Sequence, residues 1–459
     1  MSPATLTPRE AQRRYLFLSG LRWFSSGLIF PVQMLLYAAR GIDLPTIGLL
    51  VALYSATVIA LELPTGGLAD LLGRRRTALL AGAVSVTGLL TLAVAQLWWH
   101  FAIASVVAAI GRALGSGPLE AWYVDTVRAA DPQASLRTGI SRGWAVEAIG
   151  LGLAATLGGW LPGLVGGALP AGGVLSPFSI PVLAAAGVAT ASLVAHALLM
   201  TEPAAVRAGA TGGPAQGAGA ARRPRRLAIV VRGVPGQISD GVRLASRDPV
   251  VRVLVLRTAA IGVAIAALEV LTPLQFVELL GSADRAGLAY GILATAAWLG
   301  SAASSAAAPM LCRAGTRVGL SNPLSMATAC TALNAGAVAM IGLAALGPGG
   351  FWLAAAGFVL SYVIGGVPGP LTTEVLHERV DAARRATLVS VSSLALQLGA
   401  LTGVLVVPRL AQWAGFTWGW AAATLALLVA AALTRRAGAR TRVPAEAARP
   451  AQERCLVVT

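Results

Sequence analysis

The stretch GGLADLLGRRR, Gly66 to Arg76, places one carboxylate and three arginines between two long apolar runs. Segments that cross a bilayer exclude charges from the hydrocarbon region and collect arginine at the cytoplasmic interface. This dense group of charges therefore predicts a short cytoplasmic turn that joins two membrane-spanning helices. Gly66 lets neighbouring backbones approach closely, and Asp70 offers an acceptor to the ends of adjacent helices.

The composition of the whole chain is that of a membrane protein. Of its 459 residues, 56% are hydrophobic and only 12% are charged, whereas soluble domains carry about 25% charged residues. All 35 basic residues are arginine. A phosphate-binding loop and a pyridoxal enzyme each need a lysine, so the sequence excludes both classes, and we do not expect an enzyme.

Twelve apolar segments have the length of about 20 residues that a bilayer core demands. The net charge of +16 comes from arginines concentrated in the loops on one side, which favours membrane orientation over nucleic-acid binding. The bias predicts a multi-pass protein of the cell membrane with both termini in the cytoplasm, and only Arg40, Arg285 and Arg409 in loops on the other side. The predicted spans 1 to 12 are residues 15–38, 45–69, 77–98, 101–124, 140–162, 176–200, 251–274, 286–311, 322–346, 351–375, 386–408 and 416–434.

The spans fall into two groups of six, which predicts helical bundles over residues 1–200 and 250–436. Residues 201–249, rich in Ala, Gly, Pro and Arg, are interpreted as a cytoplasmic linker, and residues 437–459 as a cytoplasmic tail. The part of the linker from 227 to 250 mixes aliphatic residues with arginines. We interpret it as a tether, with an amphipathic helix on the inner leaflet as the alternative.

A short internal repeat supports this division into halves. The tripeptide GPL occurs at 117–119 and at 369–371, near the end of the fourth span of each half, and a charged turn follows in both places. The predicted fold is therefore an all-α membrane protein, with twelve transmembrane helices in two pseudo-symmetric six-helix bundles.

The stretch quoted first resembles the cytoplasmic loop signature of the major facilitator superfamily, a family of twelve-helix transporters. The resemblance lies in the order of Gly66, Asp70, Gly73 and the arginine block after the second span. It implies a gating network of charges that latches one conformation, formed here by Asp70, Arg74 and Asp125. An ordinary interfacial charge at Asp125 is the alternative.

The fourth span carries Arg112, Ser116 and Glu120 at four-residue spacing, so a continuous helix would place all three on one face. An uncompensated charge at membrane depth costs several kcal/mol, so we expect this face to point into the bundle or a watered cavity. The run GRALGSG also resembles the fourth-helix signature of the family, whose arginine is associated with proton coupling. A purely structural pair of Arg112 and Glu120 is the alternative.

Two further carboxylates, Glu62 in span 2 and Glu147 in span 5, are expected in the cytoplasmic third of the membrane. A carboxylate there can exchange protons as access alternates. We predict that proton coupling involves Arg112 and the carboxylates Glu62, Glu120 and Glu147, in that order of preference. Helix packing against a neutralising arginine such as Arg22 explains the same residues about as well.

Aromatic and charged residues within the spans predict a substrate cavity. Trp144 and Glu147 share one helical face and suit a lipophilic cation, which would contact the ring and the carboxylate. Core packing is the commoner role for any single aromatic residue. The expected cavity residues are Arg22, Tyr54, Trp122, Trp144, Glu269 and Trp298.

The stretches ELPTGGLAD and GPLEAWYVD resemble drug and metabolite efflux members of the family, including those associated with antibiotic resistance and production. The resemblance implies proton-driven export of a small lipophilic molecule by alternating access. The antiporter signature of the family is degenerate, because Ser141 replaces a glycine and Ala154-Ala155 replaces Gly-Pro. Proton-coupled uptake of an organic solute is therefore the first alternative, and a non-transport regulator or lipid-handling protein is the second.

The expected partners are a small-molecule substrate, protons and membrane lipids, without nucleic acid, and we expect a monomer. The three cysteines show no metal-binding spacing, so neither a metal, a cofactor nor a disulfide is expected. They are Cys312, Cys330 and Cys455.

The substitution Asp70→Asn is expected to impair transport while the protein stays folded in the membrane. Its carboxylate is placed to latch one access state and not to bind substrate, so the substrate Kd should change little. Transport and binding measurements on the purified variant check this. Lost binding with unchanged conformational exchange would contradict the gating role.

Overall fold

A computed structural model describes residues 6–165, 168–169, 173–201, 243, 247–320, 322–347, 349–379 and 385–441. Positions 63, 64, 66–71, 137, 318 and 385–387 are described by their backbone alone. Nearly all of the linker segment 227–250, and the tail beyond Thr441, lie outside this part of the chain. The helices within the described residues are α1 Pro8–Ile29, α2 Gln33–Ala39, α3 Leu44–Leu72, α4 Arg74–Ala93, α5 Trp98–Gly115, α6 Pro118–Ala130, α7 Arg137–Val165, α8 Ser179–Leu199, α9 Pro249–Leu280, α10 Ala283–Gly315, α11 Pro323–Leu343, α12 Gly350–Gly366, α13 Pro368–Glu378, α14 Arg385–Ala414 and α15 Phe416–Thr441.

Helix starts follow local capping chemistry. At the start of α1, the Thr7 hydroxyl accepts from the Glu10 N–H (3.3 Å) and the Glu10 carboxylate accepts from the Thr7 N–H (2.9 Å). The Thr7 N–H and hydroxyl hold the pKa of Glu10 below its ordinary value. At the start of α9, Asp248 accepts from the N–H of Val250 (2.7 Å), and Pro249 occupies the first helical position.

Three spans predicted as single helices are each broken in two, so that prediction is wrong for spans 1, 4 and 10. Span 1 consists of α1 and α2 on either side of Pro31, span 4 breaks before Pro118, and span 10 breaks before Pro368. Proline lacks the N–H that continues the helical hydrogen-bond ladder. The breaks in spans 4 and 10 fall in corresponding places of the two halves.

The all-α prediction with twelve spans is confirmed. Within the described residues, eleven stretches are long and apolar enough to cross a membrane, and they correspond to spans 2 to 12. The remaining span, α1 with α2, misses that criterion because α1 carries five charged residues. These are Arg9, Glu10, Arg13, Arg14 and Arg22.

The helices form two compact units, one within residues 1–42 and 53–234 and the other within residues 43–52 and 235–459. Inside the first unit, span 1 packs on spans 5 and 6, and span 3 packs on spans 4 and 6. Inside the second unit, span 7 packs on spans 11 and 12, and span 9 packs on spans 10 and 12. The same pairing recurs in each, which is the structural form of the pseudo-symmetry seen in the sequence.

The membership of residues 43–52 differs from the predicted division, which assigned all of residues 1–200 to one bundle. The start of α3 belongs to the second unit, where it packs on α14. A Cβ on Gly48 would lie 2.1 Å from the carbonyl oxygen of Val404, so the two backbones are in direct contact there. This close approach, which needs glycine, groups the first turns of α3 with the second unit.

Glycine also sets the contact between α1 and α7 in the first unit. A Cβ on Gly158 would lie 2.1 Å from the carbonyl oxygen of Leu28, and one on Gly27 would lie 2.4 Å from that of Leu151. Small residues at helix interfaces drive packing in lipid, because apolar burial alone gives no preference for protein over lipid tails. The α1–α7 interface therefore depends on the absence of side chains at these positions.

Gly158→Ala is expected to destabilise the protein by about 1–3 kcal/mol, because the added methyl group must push α7 away from α1. Gly187→Ala on α8 is the matched control, since a Cβ there would meet no atom within 4 Å. That control should be neutral or slightly stabilising, as alanine favours helix over glycine. Thermal unfolding in detergent measures both, and equal melting temperatures for the two variants would show that the packing argument is wrong.

Candidate functional site

The end of the first unit that carries the arginine block contains an ion pair. The chain turns sharply at Gly73, whose φ of 91° suits glycine, and α4 begins at the next residue. Arg74 Nε then lies 3.6 Å from Asp125 Oδ2 on α6, and the two side chains are 26% and 35% exposed. Two of the three residues of the predicted gating network are therefore paired, while the Asp70 side chain lies outside the described part.

Trp122, an expected cavity residue, is a packing residue at the same end. Its side chain is 1% exposed, and its indole N–H donates to the carbonyl oxygen of Thr201 (2.8 Å). Arg14 likewise donates to the carbonyl oxygen of Leu199 (2.8 Å), so both side chains satisfy carbonyls at or just after the end of α8. Because the Trp122 side chain is buried in this core and its N–H is already hydrogen-bonded, Trp122 is not part of the proposed substrate site.

The predicted stripe of Arg112, Ser116 and Glu120 does not lie on one continuous helix. α5 ends at Gly115, and α6 starts at Pro118. Arg112 is therefore in the last turn of α5 and Glu120 in the first turn of α6. The two charges therefore lie on separate helices, and the prediction of a stripe along one continuous helix is wrong.

A cluster of charges lies instead around Arg22 on α1, which we call the Arg22 cluster: Arg22, Trp23, Arg112 and Glu147. Arg22 is 14 residues, or about 21 Å, along α1 from Pro8, well inside the span. A Cβ on Gly115 would lie 3.0 Å from Arg22 Nη2, so this glycine makes room for the guanidinium group against α5. Arg112 Cζ lies 5.5 Å from the centroid of the Trp23 ring, within the range of a cation–π contact.

Glu147 on α7 is the carboxylate of this cluster. It is partly buried, and it interacts electrostatically with Arg22, which in turn is repelled by Arg112. Trp23 and Ser19, one turn apart on α1, are the hydrogen-bond donors placed beside the Glu147 carboxylate. Glu147 is therefore flanked by two neutral donors as well as by Arg22.

The other two predicted proton-coupling carboxylates are both exposed. Glu120 lies in the first turn of α6, within electrostatic reach of Glu147. Glu62 lies on α3. Tyr54, also on α3, interacts with Arg22. The structure therefore associates Tyr54 and Glu147 with Arg22.

Two predicted cavity tryptophans have accessible side chains. Trp144 on α7 is 64% exposed and precedes Glu147 by one turn. Trp298 on α10 is partly exposed and belongs to the second unit. Both remain candidates for contact with a substrate.

Glu269 in the second unit lies beside an aromatic column that the sequence did not reveal. Its side chain is exposed, and it interacts electrostatically with Tyr290 on α10 and Tyr362 on α12. The ring centroid of Phe358 lies 5.4 Å from that of Tyr290 and 5.2 Å from that of Tyr362. Phe276 continues the column, 6.2 Å from Tyr290.

Arg257 on α9 is a second feature that the sequence reasoning missed. It is 5% exposed, and its Nε has no hydrogen-bond partner among the residues that the structure describes. The signal was present, because an arginine two turns into a span is costly wherever it lies. Its position facing the interior of the unit could be found only from the helix packing.

The described residues offer charges and aromatic rings rather than metal ligands. Across those residues, no three or more His, Cys, Asp and Glu side chains are grouped so as to hold a metal ion. Cys312 is buried and lies in no disulfide among these residues, and the partly buried Cys330 lies 3.8 Å from the sulfur of Met326.

Charged residues at membrane depth in two repeated helical units are typical of secondary transporters. The sequence profile of the Major Facilitator Superfamily matches residues 15–344. The chain belongs to the major facilitator superfamily, and it is a multi-pass membrane transporter. A comparison with curated protein sequences found no match.

Solved structures of transporters have the same fold. The nucleoside transporter NupG is 12% identical with a TM-score of 0.68, over 94% of this chain and 99% of that one. A bacterial homologue of the iron transporter ferroportin is 15% identical with a TM-score of 0.70, over 94% and 99%. A bacterial homolog of the human lysosomal transporter Spinster is 16% identical with a TM-score of 0.68, over 93% and 96%. At these identities the likeness shows the fold alone.

Asp125→Asn is expected to slow transport several-fold while lowering stability by less than about 1 kcal/mol, because half-exposed ion pairs contribute little to folding. Asp131→Asn is the control, since this exposed carboxylate after α6 accepts only from the N–H of Gln133 among the described residues. The double exchange Arg74→Asp with Asp125→Arg should restore part of the transport rate. Transport assays with melting temperatures test this, and equal rates for both single variants would reduce Asp125 to an ordinary interfacial charge.

Proposed function

We propose that the protein exports a small lipophilic molecule from the cytoplasm in exchange for protons, with Glu147 as the carboxylate that carries the proton. The observation that supports this most directly is the Arg22 cluster, in which one carboxylate accompanies two guanidinium groups within the spans. Both termini lie in the cytoplasm in this proposal, as the arginine distribution indicates.

Electrostatics make the protonation state of Glu147 consequential. With Glu147 ionised, its charge offsets one of the two guanidinium groups, whereas protonation leaves Arg22 and Arg112 uncompensated. In a site of low dielectric constant, such a change alters the energy of the arrangement far more than it would in water. A movement of α1 relative to α7 that changes the distance from Arg22 to Glu147 would therefore load or release a proton.

The cation–π contact gives Arg112 a role in the same cycle. The ring face of Trp23 stabilises part of the positive charge of Arg112 when Glu147 is protonated and no longer offsets that charge. Arg112 thus adds a second positive charge to the field around Arg22. A solely structural arginine would need a fixed carboxylate partner, and no salt bridge of Arg112 is found in the described part of the chain.

The lipophilic nature of the substrate is supported by the composition of the spans. Asn and Gln are nearly absent from them, whereas uptake sites for sugars need many amide hydrogen bonds. The partly exposed Tyr54 and the exposed Trp144 supply aromatic surface near the Arg22 cluster. Direction is the point on which export and the alternative, proton-coupled uptake, differ.

Inverted membrane vesicles with an acidic lumen test the direction and the coupling together. Three lipophilic probes of similar size are offered: tetraphenylphosphonium (cationic), triphenylphosphine oxide (neutral) and tetraphenylborate (anionic), with vesicles lacking the protein as a blank. The parent is expected to accumulate at least one probe into the lumen, and collapse of the proton gradient should abolish the accumulation. Accumulation that instead requires an alkaline lumen would establish uptake by symport.

Glu147→Gln is expected to lower gradient-driven accumulation by about ten-fold or more, while exchange of labelled for unlabelled probe without a gradient persists. The physical reason is that the amide cannot release a proton but keeps the size of the side chain. Glu62→Gln and Glu120→Gln serve as parallel variants and should retain more of the coupling. Arg112→Ala should uncouple as Glu147→Gln does, whereas neutralising Arg222 and Arg223 in the linker should not. If Glu147→Gln accumulates the probe with the pH dependence of the parent, the proton carrier lies elsewhere.

A further inference from the structure

We propose that Glu269 and the partly exposed Tyr362 form a binding subsite for a lipophilic organic cation, a quaternary ammonium or phosphonium type of group, in the second unit. This inference rests on the proposed function, because it names the charge class of the exported molecule. It uses residues of a different unit from those that carry the proton. Failure of one proposal therefore does not decide the other.

Glu269 lies inside the seventh span, in its outer part. Its side chain is exposed although it lies five residues, or about 7.5 Å, before the outer end of the predicted span 251–274. A carboxylate exposed to lipid at such a position would be strongly unfavourable, so the side chain must face a space that admits water or solute. That space is where a ligand can reach it.

Glu269 lacks a basic partner among the described residues. No basic side chain in the described part of the chain pairs with Glu269 or interacts with it electrostatically. Arg257 on the same helix is 12 residues, or about 18 Å, away along the axis. Glu147 in the first unit has Arg22, but Glu269 has no equivalent, so a positive charge supplied by the ligand is its natural partner.

The aromatic column is within electrostatic range of this carboxylate, on helices α10 and α12, which both pack on α9. Tyr362 is partly exposed, while Phe358 and Tyr290 behind it are fully buried and fix its position by ring contacts of 5.2 and 5.4 Å along the column. A ring face attracts a cation whose charge lies within about 6 Å of the ring centroid. A carboxylate within electrostatic range of an accessible ring thus offers two favourable interactions to one cation.

The kind of cation follows from the side chains available. Small hard ions need about six oxygen ligands in a defined geometry, and among the described residues Glu269 belongs to no group of three or more His, Cys, Asp and Glu side chains that could hold a metal ion. A large cation with a diffuse charge loses little hydration on binding and gains from contact with the aromatic ring. The chemistry therefore favours an organic cation over a metal ion.

Equilibrium binding to the purified protein in detergent, without any proton gradient, tests this subsite. The parent should bind tetraphenylphosphonium, and Glu269→Gln should raise its Kd by about ten-fold or more, since one charge contact is lost. The weaker binding of neutral triphenylphosphine oxide should change by less than about three-fold in the same variant. Glu278→Gln is the matched control, an exposed glutamate nine residues farther along α9, and it should bind both probes as the parent does.

Glu269→Asp keeps the charge and should keep most of the affinity for the cation, which separates loss of charge from loss of fold, and thermal unfolding of each variant is recorded alongside. The subsite is refuted if the parent does not bind tetraphenylphosphonium, or if Glu269→Gln binds it as tightly as the parent does. It is also refuted if Glu269→Gln weakens the cationic and the neutral probe equally. Unchanged cation binding in Glu269→Gln, together with loss of substrate-induced proton release, would assign Glu269 to proton transfer instead.

Discussion

The cost of holding guanidinium groups at membrane depth governs the first unit of this protein. Arg22 and Arg112 lie within spans, and their charges repel one another. Glu147, the ring face of Trp23 and the space left by Gly115 together make this arrangement tolerable. Because the compensation is partial, a proton on Glu147 would change the balance of charge, and the proposed coupling rests on this change.

The two units repeat their packing but not their charges. Spans 1, 5 and 6 pair as spans 7, 11 and 12 do, and glycine allows close backbone approach in both, at Gly158 and at Gly399. The first unit carries Arg22 with Glu147, whereas in the second unit the exposed Glu269 has no basic partner among the described residues. This divergence of charges in a repeated helical frame is what the two proposals rest on, one for the proton and one for the solute.

Much of the frame could be predicted from the sequence, because apolar length and helix-capping residues act locally. The spans and their division into two groups of six follow from such signals. The breaks at Pro118 and Pro368 were missed because the apolar character continues through them. A tripeptide repeat marked the place, but its proline was not taken as the end of a helix.

The site was harder to predict because it depends on how helices rotate against each other. Trp122 looked like a cavity residue, yet the turn after Gly117 directs it into the core towards Thr201. Glu147 ranked below Glu62 and Glu120 on sequence grounds, since only the packing of α1 on α7 brings it near Arg22. The aromatic column of Tyr290, Phe358 and Tyr362 joins two helices that are far apart in sequence, so no local sequence pattern predicts it.

The central claim is that Glu147 exchanges a proton under the influence of Arg22, and infrared difference spectroscopy tests it most directly. Spectra of the purified protein in lipid are recorded between acid and alkaline conditions, with isotope-labelled glutamate to identify the carboxyl bands. The account predicts a protonated-carboxyl band that titrates in the parent, is missing in Glu147→Gln, and titrates at a different pH in Arg22→Gln. Titrating glutamate bands in Glu147→Gln that are identical to those of the parent would contradict it.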